Sequence, residues 1–255
     1  MNPIQNLRAT VRAIEIFSLA FLLFGIRLTF LPLQWFSPAL DRRFRRLLLR
    51  FWGRAVSAIM HMRLVVKGTP PSAPFFLVSN HLSHLDGVPF SAILGCTFVS
   101  KSEISNWPVI GFMTRQLGLI FVDRSKRIET VRVNEQIGQA LAEGEGIIMF
   151  AESTTSKGET IMPFKSALLE PAVRNDCPVH YATLHYKATG GSPPASQWIC
   201  WYDGTPFGTQ LWRSFGYPSS IATVTFGAEP ISAPDRKILA LQLHEASIKQ
   251  FEPIE

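Results

Sequence analysis

Charge is what this sequence has least of. Only 17% of its 255 residues are Asp, Glu, Lys or Arg, whereas 47% are apolar, and the mean hydropathy is +0.15. A soluble domain usually carries nearer a quarter charged residues, so contact with a membrane is the simplest explanation. Cysteine is scarce too: Cys96, Cys177 and Cys200 are far apart, odd in number and without metal-ligand spacing. That argues against a disulfide framework and a zinc site and fits a reducing, cytoplasmic setting. No repeat, low-complexity tract or long linker divides the chain, and no Gly-x-Ser-x-Gly elbow offers a serine nucleophile. The charge that is present is unevenly placed. Net charge is +6, but no nucleic-acid-binding module accompanies it. Instead Arg42, Arg43, Arg45, Arg46, Arg50 and Arg54 directly follow the most apolar stretch, where anionic lipid head groups attract them.

That stretch, Ile14 to Ile26, is almost unbroken apolar sequence until Arg27, after which Leu28 to Phe36 continues it. Counted through Arg27 it matches a bilayer core of roughly 30 Å; counted to the arginine it falls short, and a charge at mid-depth is costly. Pro32 and Pro38 break the helix, and Trp35-Phe36 has the character of an interfacial anchor. These favour a helix that enters one leaflet or lies in the interface, with a full span as the second reading. Arg8 and Arg12 precede the apolar region as in a secretory signal, but no Ala-x-Ala cleavage site follows. From Phe36 to Met62, apolar residues recur at helical intervals among arginines, giving a second, basic amphipathic helix.

From about Met62 the pattern changes to short β-rich runs between helical stretches. Strands are expected at 63–67, 74–78, 97–100, 119–122, 146–150, 178–184, 198–202 and 222–226. Helices are expected at 85–94, 112–117, 128–143 and 235–250. The fold class is therefore α/β: a mixed β-sheet covered by helices on both faces, preceded by an N-terminal membrane-associated helical hairpin. Residues 1–61 form the hairpin and 62–255 one globular domain. The loop signals at 190–194 and 203–206 punctuate that domain and do not divide it.

The chemistry is concentrated in Ser79-Asn80-His81-Leu82-Ser83-His84-Leu85-Asp86-Gly87, at the end of the buried run 74–78. His81 and Asp86 lie five positions apart. An imidazole held by a carboxylate is fixed in one tautomer, and the charge it gains with a proton is stabilised, so the pair can deprotonate a hydroxyl. His84 lies only two residues from Asp86 and points to another side on a helix. His81 meets Asp86 only if the chain turns between them, a turn that Asn80 and Ser83 can supply. Alternatively the histidines merely cap a turn. A metal site would need a fourth ligand at a recognisable spacing, and none is present. Two further strand ends carry polar residues: Gly118 to Arg124, and Phe150-Ala151-Glu152-Ser153-Thr154-Thr155-Ser156.

With these blocks the chain, over about 62–184, resembles the glycerophospholipid acyltransferase family, whose best-known members acylate lysophosphatidic acid. The resemblance implies that Asn80-His81 to Asp86 is the catalytic block, with His81 the general base and Asp86 its orienting carboxylate. It further implies that Arg124 binds the acceptor's phosphate, that Glu152 with Ser153 and Thr154 belongs to the acidic third block, and that Cys177-Pro178-Val179 is the fourth. Lys101 occupies a place where the family often carries lysine; a solvated surface lysine is its other reading. Glu152 is otherwise a cap on backbone amides. Ala151 replaces the family's usual proline, Ser153 its glycine, and Thr155 stands where many members have arginine, which removes a bidentate partner for an anion. The implied reaction needs no cofactor and no metal: acyl-coenzyme A or acyl carrier protein is the donor substrate, and a lysolipid at the membrane surface the acceptor. Rival readings are an acyltransferase for another lysolipid such as lyso-ornithine lipid, a lipid-ester hydrolase, and a non-catalytic lipid-binding protein.

Overall fold

The computed structural model describes residues 1–106, 110–123 and 127–254. The chain begins with a helix α1 (Pro3–Thr29), a short helix α2 (Leu33–Phe36) and a long helix α3 (Pro38–Ile59). Asn2 and Gln5 form a reciprocal capping box that starts α1, with Pro3 at its first position, where the missing amide costs nothing. Pro32 and Pro38 separate the three helices as expected, and α1 runs without a break through Arg27.

The remainder alternates: β1 (Met62–Lys67), β2 (Phe75–Ser79), α4 (Gly87–Leu94), β3 (Thr97–Lys101), α5 (Ser102–Ser105), α6 (Ile110–Gln116), β4 (Ile120–Val122), α7 (Arg127–Ala142) and β5 (Gly146–Phe150). It continues through α8 (Glu170–Arg174), β6 (Val179–Thr189), α9 (Ala195–Trp198), α10 (Phe207–Gly216), β7 (Ser219–Phe226) and α11 (Arg236–Gln250). Among the described residues these strands form a seven-stranded sheet in the order β1-β7-β6-β2-β5-β3-β4. Only the β6–β7 pairing is antiparallel, so β6, β2, β5, β3 and β4 run one way and end along the same edge.

The central strands are buried on both faces, which is why they read as continuous apolar runs with no alternation. Successive residues of β2 serve opposite cores. Phe75 and Leu77 join a cluster with Val56, Phe90, Trp198 and Phe215, beneath α1, α3, α4 and α10. Phe76 and Val78 join one with Val133, Ile137, Leu239 and Leu243, beneath α7 and α11. The expected helices on both faces are thus present. Ala9 and Ile16 of α1 and Val56 of α3 are part of the first cluster, so the N-terminal helices are packed into the same core as the sheet.

Beyond the short helices α5 and α8, which the sequence reading did not expect, two segments in the C-terminal half of the chain differ from it. Residues 198–202 are not a strand: Ala195–Trp198 is a helical turn, and Trp201 sends its backbone amide to the Leu82 carbonyl at 2.8 Å. The last strand before it, β6, is correspondingly longer, reaching Thr189. A helix at 207–216, α10, was not expected, although Phe207, Leu211 and Phe215 recur at its period.

Candidate active site

Three parallel strand ends build the site: β2 delivers Asn80 and His81, β5 delivers Ala151 to Ser156, and β3 ends on Lys101. Crevices at such carboxyl ends are where ligands bind in α/β sheets, because loops there can diverge while the strands stay rigid. A separate cavity of about 370 Å³, lined by Arg45, Gly118, Arg132 and Glu145, lies at the opposite ends of β3 and β4, away from His81.

Asn80 ends β2 by imitating a strand residue. Its side-chain oxygen accepts the Leu184 amide at 2.7 Å and its amide nitrogen donates to the Leu184 carbonyl at 3.0 Å, completing one more rung with β6. The ladder is satisfied while the backbone turns away. Ser83 makes the turn: its hydroxyl accepts the Leu85 amide and caps a single 3₁₀ turn over His84–Asp86. Of the two residues expected to turn the chain, then, Ser83 does so and Asn80 anchors it.

The turn brings Asp86 under the loop it belongs to. Asp86 is fully buried, and its Oδ2 accepts the Leu82 amide at 2.7 Å, the Ser83 amide at 3.0 Å and the His81 ring at Nδ1, 2.8 Å away. A carboxylate only accepts, so Nδ1 carries the proton and Nε2 is left with its lone pair free. The His81 ring stacks on Phe150, with centroids 4.3 Å apart and planes 11° from parallel. Its side chain keeps 22% of its surface exposed, so Nε2 is reachable. His84 goes elsewhere. Its ring sits edge-on to Trp201 and Phe207, neither ring nitrogen has a partner among the described residues, and burial lowers its pKa to about 4.

Glu152 is 2% exposed and takes two backbone amides, His81 on Oε1 at 2.9 Å and Met162 on Oε2 at 3.2 Å. Burial raises its carboxyl to about 7, against the pull of those two amides. Both oxygens thus act as caps on backbone amides, one in the loop that carries His81 and one at Met162. Ser156 completes the tie between blocks by donating its amide to the His81 carbonyl at 2.9 Å. Ser153 sits at φ 66°, the left-handed region that suits the family's usual glycine. Thr154 is exposed, and Thr155 donates its hydroxyl to the Trp201 carbonyl. Lys101 is exposed at the end of β3, two strands from His81 on the same edge. Arg124 lies outside the described residues. Sequence reading missed Tyr186, and it did not foresee that Phe150 stacks on His81 or that Trp201 packs against His84. Tyr186 donates to Asp86 Oδ1 at 3.1 Å from β6, 100 residues away.

Known proteins match on the same elements. Residues 63–183 match the Acyltransferase family. Lyso-ornithine lipid O-acyltransferase of Brucella abortus is 34% identical over 163 residues, 64% of this chain and 61% of that protein. The enzyme of the same name from Rhizobium meliloti is 33% identical over 59% of this chain and 52% of its own. The chain thus spans less than two thirds of the length of these two relatives. 1-acyl-sn-glycerol-3-phosphate acyltransferase of Neisseria meningitidis is 30% identical over 198 residues, 76% of each chain. In structure, the 1-acyl-sn-glycerophosphate acyltransferase of Thermotoga maritima superposes with a TM-score of 0.57 at 19% identity, covering 94% of this chain and 97% of its own, a likeness of fold. With the family match over 63–183 and a relative 30% identical over 76% of both chains, the chain belongs to the glycerophospholipid acyltransferase family.

Proposed function

We propose that this protein is a membrane-associated acyltransferase that moves a fatty acyl chain from an acyl thioester to the free hydroxyl of a lysolipid. The observation that carries the reading is the 2.8 Å bond from His81 Nδ1 to a buried, saturated Asp86, which leaves Nε2 as a base at an open strand end. His81 takes the proton of the acceptor hydroxyl, whose oxygen attacks the thioester carbonyl. The tetrahedral adduct collapses by breaking the C–S bond, and the proton on His81 goes to the leaving thiolate of coenzyme A or acyl carrier protein. Direct transfer of this kind uses no cofactor, no metal and no covalent acyl-enzyme. Arg124 and Lys101 supply cations to an anionic acceptor, while Glu152 holds the loop that carries His81, beside Ser153 and Thr154.

Residues 1–61 serve as the membrane-binding part and 62–255 as the catalytic part. By length and composition α1 suffices to cross a bilayer. Two buried arginines favour the interfacial arrangement. Arg12 donates to the carbonyls of Ile59, Phe215 and Pro218, and Arg27 donates to Gln116 and pairs with Asp41 at 2.7 Å. These residues are fifteen apart, about 22 Å along the helix axis, so α1 is fastened flat on the domain over most of its length. Its other face exposes Leu7, Ile14, Phe21 and Leu22, continued by Trp35 and Phe36 of α2, to a lipid surface. The arginines of α3 do not form the lipid-facing flank expected of them. Arg42 pairs with Glu143, Arg45 and Arg46 pair with Glu145, and Arg50 and Arg54 donate to the Leu94 and Ala92 carbonyls, so the apolar face is the lipid-binding one. The cytoplasmic face is proposed from the free cysteines alone.

For the acceptor, lysophosphatidate is the first reading and lyso-ornithine lipid the second. Thr155 favours the second, since its hydroxyl is tied to the Trp201 carbonyl where an arginine would meet a phosphate. The test is transfer of radiolabelled palmitate from palmitoyl-coenzyme A and palmitoyl carrier protein to a panel of lysolipids, by wild type and His81→Ala in detergent. Product on one acceptor, absent with the variant, is expected. Equal product from both proteins, or transfer to water alone, overturns the reading.

A further inference from the structure

Tyr186 lies on the inner row of β6 with Ala182 and Leu184 and is 1% exposed. A buried phenol needs a hydrogen-bond partner, and here it is Oδ1 of Asp86, the oxygen His81 does not use. The phenol must be the donor: a carboxylate only accepts, and burial followed by the adjacent Asp86 charge keeps Tyr186 protonated. Asp86 thus receives four donors, three on Oδ2 from residues 81–83 and one on Oδ1. The three on Oδ2 are local and follow from the turn itself. Only Tyr186 arrives from a distant element, through the β2–β6 pairing.

We propose that Tyr186 is a positioning residue for the reaction: by donating to Asp86 it holds the carboxylate in the plane His81 requires and draws off part of its charge. This rests on the proposed role of His81 as the base. The consequence has a sign. A carboxylate that loses one donor concentrates its charge on the imidazole beside it, so the His81–Asp86 pair binds its proton more strongly. The base form then survives only at higher pH. A stronger donor at the same place does the reverse. A side chain that merely fills space does neither, because Tyr186→Phe keeps the ring and removes only the hydroxyl.

The experiment compares wild type, Tyr186→Phe and protein with 3-fluorotyrosine at position 186, whose phenol is the stronger donor. Tyr181→Phe, on the opposite face of the same strand, is the control. Two readouts are taken: the pH profile of kcat/KM for transfer, and the His81 ring-proton titration by NMR in detergent micelles, assigned with His81→Gln. In Tyr186→Phe the acidic limb and the titration midpoint should both rise by about half to one unit. Below the limb the rate should fall roughly 3- to 10-fold. The fluorotyrosine protein should move both readouts downward, and the control should match wild type. Coincidence of Tyr186→Phe with wild type in the titration overturns the proposal. Should that variant not fold, an unmoved midpoint in the fluorotyrosine protein overturns it equally. A wild type that transfers nothing defeats the acyltransferase reading, while the titration still decides the role of Tyr186.

Discussion

Two buried aspartates, Asp86 at the sheet edge and Asp41 beneath the N-terminal helices, are held in opposite ways. Asp86 is met by neutral donors: two backbone amides, a phenol and the imidazole of His81. Asp41 is met by fixed cations, Arg27 at 2.7 Å and Arg45 at 3.2 Å, and Arg45 passes on to Glu145 at 2.8 Å. Neutral donors solvate a carboxylate without cancelling its charge, so Asp86 still favours a proton on its neighbour. Cations cancel it, so the Asp41 cluster is electrostatically closed and acts as a clasp between α1, α3 and the loop before β5. Burial of a charge alone therefore does not distinguish the two aspartates; the identity of their partners does.

The largest effect expected is at the first site. Asp86→Asn should reduce kcat by about 10³- to 10⁴-fold with unaltered membrane binding, since the amide no longer fixes the tautomer or stabilises the imidazolium. Retained activity would erase the distinction between the two aspartates. At the second, Arg27→Ala leaves Asp41 buried with half its compensation and should cost about 3 kcal/mol in urea unfolding, with kcat per folded molecule nearly unchanged. Adding Asp41→Leu should recover much of that stability; no recovery would show that the arginine matters through packing alone.

His84 gives a smaller, pH-dependent effect. Its folded-state pKa of about 4, lowered by burial, lies below the unfolded value of 6.5. Between those values the unfolded chain binds a proton the folded one refuses, so stability is intact above 6.5 and falls as pH drops towards 4, by at most about 1.4 kcal/mol per unit. His84→Phe should flatten that dependence in thermal melts at pH 4.5 and 7, and should impair transfer far less than His81→Ala. Ser153→Gly should have the smallest effect. At φ 66° a serine is strained, and its replacement should stabilise by about 0.5 to 1 kcal/mol. A loss there would mean that the side chain contributes more than its backbone costs.

Much of the sheet was legible. Gly146–Phe150 reads as a strand and is one, and the long amphipathic helix differs by a residue at each end, because burial of a run on both faces or of one helical stripe leaves a periodic record. Trp198 to Tyr202 was misread as a strand because short aromatic runs look alike in any extended conformation. What decides there is the loop's bond to Leu82 and the indole's bond to the Thr205 carbonyl, both set by packing. Glu152 was legible as a polar residue at a strand end but its partners were not, since the His81 amide reaches it only after β5 has seated beside β2, and the Met162 amide only after the segment following β5 has folded back.

By itself the sequence determined the local pieces: a histidine and an aspartate five residues apart at the end of an apolar run, and a greasy, arginine-flanked N-terminus. Those are local facts, set by residue type and spacing along one stretch of chain. Only the tertiary structure decided that Tyr186 completes Asp86, that Asn80 pairs with β6, and that Arg12 and Arg27 lay α1 along the domain. Each of these joins residues roughly 50 to 200 positions apart. Such contacts leave no periodic trace in the sequence, because they exist only where the sheet order and the burial of polar groups force distant partners together.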